Sequence, residues 1–174
     1  MFLREASGFE SDALPLLDSH EAYRTARAAY QARGGRLDDA LAVEFCATAD
    51  ADGITRKYGA FVLGGHIVAR HLFFSRDWQV KLADLDEPRF VAEELAYLDS
   101  NPHAAALREV CSLAGVGYGR IDYGLRDGRP QIWEINTNPM IASGISAQRP
   151  TRNSVHLKFV ALFADAIAAL EAGA

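Results

Sequence analysis

Cysteine is scarce in this chain of 174 residues: Cys46 and Cys111 stand alone, in neither a metal-binding nor a redox spacing, so no thiol-based motif is written into it. Long apolar runs are missing as well, which removes the usual signature of a membrane-spanning helix. The opening Met-Phe-Leu is too short and too soon charged, at Arg4 and Glu5, to act as an export signal. Together these absences point to a reducing, cytoplasmic setting. Positive charge is in deficit, with 18 Lys and Arg against 23 Asp and Glu, a net charge of -5 and a pI near 5.5. Without a broad cationic field, neither nucleic acid nor an anionic membrane is an expected partner, and any phosphate binding has to rest on local basic residues. Repeats and low-complexity segments are absent too. What the chain does have is 49% hydrophobic residues, enough to build a core in one domain or two small lobes.

The densest stretch is 117–141, GYGRIDYGLRDGRPQIWEINTNPMI. Ile121, Tyr123 and Leu125 alternate with Arg120, Asp122 and Gly124, and after Asp127 and Gly128 the alternation resumes with Trp133 and Ile135 against Glu134 and Asn136. Period-two alternation on both sides of a glycine turn predicts a hairpin. A one-residue slip would put every side chain on the wrong face, so Ile121, Tyr123, Trp133 and Ile135 should share an apolar surface while Asp122, Glu134 and Asn136 gather on the other. That parity predicts an odd-numbered loop rather than a tight two-residue turn. Asp122 and Glu134 then lie opposite or one diagonal step apart, a costly pairing unless a cation or a basic side chain sits between them. Two carboxylates and an amide oxygen are hard donors that suit Mg²⁺ sharing phosphate oxygens. The alternation by itself equally describes the solvated face of an ordinary hairpin.

A second hairpin is predicted from 57–63 and 66–73, joined by Gly64 and Gly65. A two-residue turn sets Leu63 opposite His66, Phe61 opposite Val68 and Gly59 opposite Arg70. Lys57 and Arg70 then share a face, as a basic patch for phosphate oxygens or as two solvated bases. Helices are expected after an N-cap at Ser19, over 88–98 and 103–114, and over 155–169 with Leu157, Val160, Phe163 and Ile167 as its buried stripe. Short strands are expected over 1–5 and 41–46, with Ala6, Ser7, Gly8 and Phe9 after the first. His103 reads as structural, Trp78 as either a packing residue or a substrate contact, and 142–146 as a small flexible loop before Arg149 and Arg152.

The segment RIDYGLRDGRPQIWEINTNP resembles the C-terminal metal-binding signature of the ATP-grasp superfamily. The resemblance implies an α+β fold with an antiparallel sheet and packed helices: an incomplete nucleotide-covering lobe over 1–48, a catalytic lobe over 49–174, and nucleotide between them. Carried over residue by residue, Asp122, Glu134 and Asn136 match the positions that hold one or two Mg²⁺ ions against the phosphates of ATP. KYGAFVLGG is similar to the family's Y-R-x-F-V-x-G-G, with Gly59 at the arginine's place, so Lys57 or Arg70 would take over its phosphate and catalytic role. Arg4 stands where the covering lobe carries a lysine, the loop after it has only Gly8, and Glu44 in LAVEF matches the acid near the ribose and adenine. The implied activity is ATP-dependent ligation of a small carboxylate to an amine or thiol, through an acylphosphate, with release of ADP and phosphate. The alternatives are a nucleotide-binding or regulatory module without turnover and a purely structural domain. The family's separate N-terminal domain is missing, so the chain looks like the C-terminal half of a longer protein, and a homodimer is an open assembly.

Overall fold

In a computed structural model, which describes residues 1–6, 15–81, 83–141 and 149–173, the chain divides into two compact units, Met1–Ala47 and Thr48–Ala174. The first unit is small. Strand β1 (Phe2–Glu5) pairs antiparallel with β2 (Ala40–Val43), Phe2 opposite Val43 and Glu5 opposite Ala40. Helix α1 (His20–Ala32) starts where expected, because the Ser19 hydroxyl accepts the Ala22 N–H at 3.1 Å and relieves one of the orphan donors of the first turn. Leu3 and Tyr30 are its buried apolar side chains next to a cavity of about 230 Å³ that Tyr23, Arg27 and Leu37 also line. The segment with Ser7 and Gly8, expected to cover phosphates, lies outside the described residues.

The second unit is built on a four-stranded antiparallel sheet in the order β4-β3-β5-β6. Its strands are β3 (Thr55–Leu63), β4 (His66–Ser75), β5 (Tyr118–Arg126) and β6 (Arg129–Asn136). Gly64 and Gly65, at φ of +51° and +91°, make the tight turn between β3 and β4, a conformation that costs glycine little. Two helices, α2 (Pro88–Ser100) and α3 (Ala104–Ala114), follow β4 and bury Phe90, Tyr97, Leu98, Leu107 and Cys111. These join Tyr58, Ala60, Val62, Leu72, Phe74, Ile121 and Tyr123 in the core. Beneath them runs a polar chain: the Tyr97 hydroxyl donates to the Gly59 carbonyl at 3.1 Å and lies 3.0 Å from the Tyr123 hydroxyl, which is 2.9 Å from His103 Nδ1. His103 is thus tied to core packing.

The outer strand β4 would expose unpaired backbone groups. Helix α2 and the residue that caps it answer this with side chains: Glu94 accepts the Leu72 N–H at 2.9 Å, and the amide of Asn101, at the C-cap, donates to the Ile67 carbonyl at 2.7 Å. On the opposite sheet face Phe61 packs on Phe159 and Phe163 of α4 (Asn153–Ala172), with ring centroids 5.6 and 5.1 Å apart. This helix differs from its expected phase. Val155, Phe159, Phe163 and Ala166 turn inward, while Leu157, Val160 and Ile167 are exposed. In NSVHLKFVALFADAIAALEA most positions are apolar, so hydrophobicity does not select a face, and the two large phenylalanines take the sheet side. No helix among the described residues is long and apolar enough to cross a membrane.

Candidate functional site

The sheet face shared with α4 becomes polar beyond Phe61, and the predicted acids lie there. In the hairpin of β5 and β6, Arg120 pairs with Asn136, Ile121 with Ile135 and Asp122 with Glu134. That parity is as expected, but its origin is different. The turn is a two-residue one, with Asp127 at φ +52° and Gly128 at +73°, and the register is shifted by a bulge between Asp122 and Tyr123, where Tyr123 pairs with Ile132. Trp133 is the extra residue. A bulge permits what an odd loop had been invoked to supply, and it also re-aims the bulged side chain. Trp133 therefore leaves the expected apolar face: a Cβ on Gly124 would lie 2.6 Å from its ring, and Gly124 shares the face of Asp122. The indole is 38% exposed beside the acids rather than buried behind them.

A second bulge corrects the other hairpin. Leu63 faces His66 and Phe61 faces Val68 as predicted, but the register shifts between Gly59 and Ala60, so Gly59 faces His71 and Arg70 becomes the extra residue. Gly59 makes room for the His71 ring, which a Cβ would approach to 2.4 Å. His71 is buried and stacks on Phe73 at 4.0 Å, and its Nε2 has no hydrogen-bond partner among the described residues. Burial holds its pKa well below the ordinary value; Arg70, Arg120 and Lys57 add to that effect and Asp122 opposes it. The ring is neutral at physiological pH.

Around it lies a group of charges. Asp122, 2% exposed, receives Arg120 Nε at 2.7 Å and Nη2 at 3.1 Å, and Lys57 Nζ lies 2.9 Å from its Oδ2. Burial works to raise the pKa of this carboxyl, but neighbouring His71, then Lys57 and Arg120, outweigh it and hold it below the usual range. Arg152 meets Glu94 at 2.6 and 3.1 Å and lies over Phe73. Arg70 is different: its guanidinium rests on the Phe159 ring at 4.3 Å and makes no hydrogen bond or ion pair within the described residues. Burial first, then Arg152 and Arg120, lower its pKa to about 10, against Glu94. Four cationic groups thus surround two buried carboxylates, leaving positive charge for which a ligand anion would be the natural partner.

Of the expected metal ligands, Glu134 is exposed and Asn136 is half-buried with its Oδ1 accepting the Asn138 N–H at 2.9 Å. Among the described residues no group of three or more His, Cys, Asp or Glu side chains is gathered for a metal. A site would need the Asn136 amide beside Asp122 and Glu134. Their chemistry fits Mg²⁺, being hard oxygens on one face, and the two cations on Asp122 show that this carboxylate already demands positive charge. Arg4 and Glu44 belong to the first unit, both exposed; Arg4 Nε donates to the Glu5 carbonyl at 3.4 Å, and Glu44 directly follows β2. Trp78 lines an open cavity of about 520 Å³ with Thr55, Arg76 and Asp77. The loop 142–146 lies outside the described residues, and Arg152 after it serves Glu94. Arg120, His71 and Trp133 enter the site unannounced. Arg120 alone was legible, two positions before Asp122 on the same strand face.

No protein-family model matches the chain, and no curated protein does. Among solved structures, a D-alanine–D-alanine ligase from Bacillus anthracis is similar over 92% of this chain and 52% of its own, with 13% identity and a TM-score of 0.45. The chain spans about half the length of that ligase. The likeness is a distant one of fold.

Proposed function

We propose that the Thr48–Ala174 unit handles the phosphates of a nucleotide, as the ATP- and Mg²⁺-binding part of a ligase that joins a small carboxylate to an amine or thiol. The observation that carries this reading is the Arg70 guanidinium, stacked on Phe159 without an anionic partner beside Arg120 and Lys57. A half-buried cation in that state is costly, and a phosphate offers the oxygens that its planar donors fit. In the reaction, a carboxylate oxygen attacks the γ-phosphorus, the bond to the β-phosphate oxygen breaks, and ADP leaves with the electron pair. An amine or thiol then displaces phosphate from the acyl carbon. Lys57, Arg70 and Arg120 offset charge on the phosphoryl oxygens as it shifts. Mg²⁺, held by Asp122, Glu134 and Asn136, would neutralise charge on the same oxygens. Trp133 supplies an exposed aromatic plane on the same face, suited to stacking a base. Isothermal titration of MgATP into the chain and into Arg70→Ala tests the reading, with ³¹P NMR of the products. Loss of affinity in the variant and release of ADP and phosphate are expected; equal affinities, or AMP and pyrophosphate, overturn it.

The ion pairs of Asp122 favour a second reading, a nucleotide-binding module without turnover. Both its oxygens are engaged by Lys57 and Arg120, so an anion could be held by the cations without a metal. ATP bound equally well in EDTA, with no ADP formed, would establish this reading over the first.

A further inference from the structure

Among the described residues two buried side-chain polar atoms lack a hydrogen-bond partner, Asn101 Oδ1 and His71 Nε2. Asn101 is already tied through its amide nitrogen to the Ile67 carbonyl. The imidazole of His71 is held by packing instead: 4% exposed, it stacks on Phe73 with ring centres 4.0 Å apart, and the Arg152 guanidinium lies 4.6 Å from the centre of Phe73. Its place in the sheet says what it can meet. His71, Gly59, Asp122 and Glu134 are register partners in one row across β4, β3, β5 and β6. Strands lie about 4.8 Å apart, and glycine leaves the place between His71 and Asp122 empty, so the ring lies over it: a Cβ on Gly59 would be 2.5 Å from Nε2. We propose that His71 is a further ligand-binding residue of this face, its Nε2–H donating to a phosphate oxygen of the bound molecule, which rests on the nucleotide-phosphate reading for the class of ligand.

Charge and chemistry both choose an oxyanion for this nitrogen. Lys57, Arg70 and Arg120 act on His71 electrostatically against Asp122 alone, so a metal ion brought to Nε2 would meet three cations. Asp122 does not serve as the acceptor, because its two oxygens are engaged by Arg120 and Lys57. A fully ionised phosphate oxygen has no proton to give, so Nε2 must carry it in the complex. A neutral donor needs no counter-ion while the site is empty, whereas a fourth cation in the same row would. The side chains of Lys57 and Arg120 are 17% and 22% exposed, which leaves an approach from solvent. Stacking on Phe73 holds the ring in one place, so little ordering is lost when the anion arrives.

Inorganic tripolyphosphate in EDTA, with neither base nor metal, is the probe, read by long-range ¹H–¹⁵N spectra of the histidine rings and by isothermal titration. Saturation is expected to shift His71 Nε2 and to leave it protonated. An unmoved resonance, as a resident water would leave it, or a bare Nε2 in the complex overturns the proposal. His71→Phe keeps a ring on Phe73, so its melt at pH 7 should match or exceed that of the parent. Its affinity for tripolyphosphate and for MgATP should fall about tenfold or more, the loss of one hydrogen bond to a charged group. His71→Gln carries an amide N–H at a similar reach and should recover part of that loss. A purely structural histidine gives the opposite order, with His71→Phe binding normally and His71→Gln destabilised, and that result also overturns the proposal. The two readings fail separately. MgATP weakened by Arg70→Ala but not by His71→Phe removes His71 alone, whereas tripolyphosphate bound through His71 by a chain that does not bind ATP removes the nucleotide and keeps His71.

Discussion

Asp122 is ionised although it is almost wholly buried, because two cations hold it in that state. Its two roles can be separated from those of Glu134, which is exposed. Asp122→Asn leaves Lys57 and Arg120 without their shared counter-charge, and is expected to cost about 1–3 kcal/mol of stability as well as MgATP affinity. Glu134→Gln touches no ion pair and should stay within about 0.5 kcal/mol of the parent while still weakening MgATP. A melt and a titration of each variant check this, and unchanged affinity in both would remove the pair as a metal site. His71 predicts a pH effect. Its folded pKa lies well below 6.5, so the unfolded chain takes up the proton first and stability falls as pH drops through about 6.5. His103 and His156, also lowered by burial, act in the same direction. Asp122 has the usual carboxylate sign: its contribution is intact above an unfolded pKa of about 3.9 and is lost only below that. Between pH 7 and 5, therefore, melting temperatures should fall with pH, and His71→Phe should flatten the slope. An unchanged slope would show that His71 is not the group being titrated.

At the scale of elements, the two hairpins are joined to the helices by the tyrosine chain. Tyr97 has one proton and gives it to the Gly59 carbonyl, so Tyr123 must donate to Tyr97, and His103 must donate from Nδ1 to Tyr123. His103 is expected as its Nδ1–H tautomer, which ¹⁵N NMR of the ring reads directly; an Nε2–H tautomer would break the chain of donors. Tyr123→Phe removes the middle member and is expected to cost about 1–3 kcal/mol, measured by urea unfolding. The helices and strands themselves were largely readable. Ser19, Pro88 and the Gly64–Gly65 turn each act through local backbone chemistry, and the structure places all three as the residues suggest. The bulges were not readable. Inserting Arg70 or Trp133 leaves the alternation on either side intact, so nothing in a single strand's pattern tells a bulge from a longer loop.

For the whole molecule, the division into Met1–Ala47 and Thr48–Ala174 makes a calorimetric prediction. If nucleotide binds on the polar sheet face, MgATP at about a hundredfold excess over its dissociation constant should stabilise the larger unit by about 2.7 kcal/mol. Mg²⁺ alone should do much less, because Asp122 is already compensated. Scanning calorimetry with Mg²⁺, ATP and both together distinguishes these cases, and an equal shift with Mg²⁺ alone would point to a metal site independent of nucleotide.

The amino-acid sequence determined the strand faces of Asp122, Glu134 and Asn136, the antiparallel hairpins and the positions of the helices. These follow from side-chain period and turn chemistry, which act over a few residues. Tertiary structure decided which cations meet Asp122, that His71 rather than Arg70 fills the space above Gly59, that Trp133 stands beside the acids, and which side of α4 faces the sheet. Each of those depends on register shifts and on competition among side chains far apart in sequence, where close packing, rather than any local preference, selects the outcome.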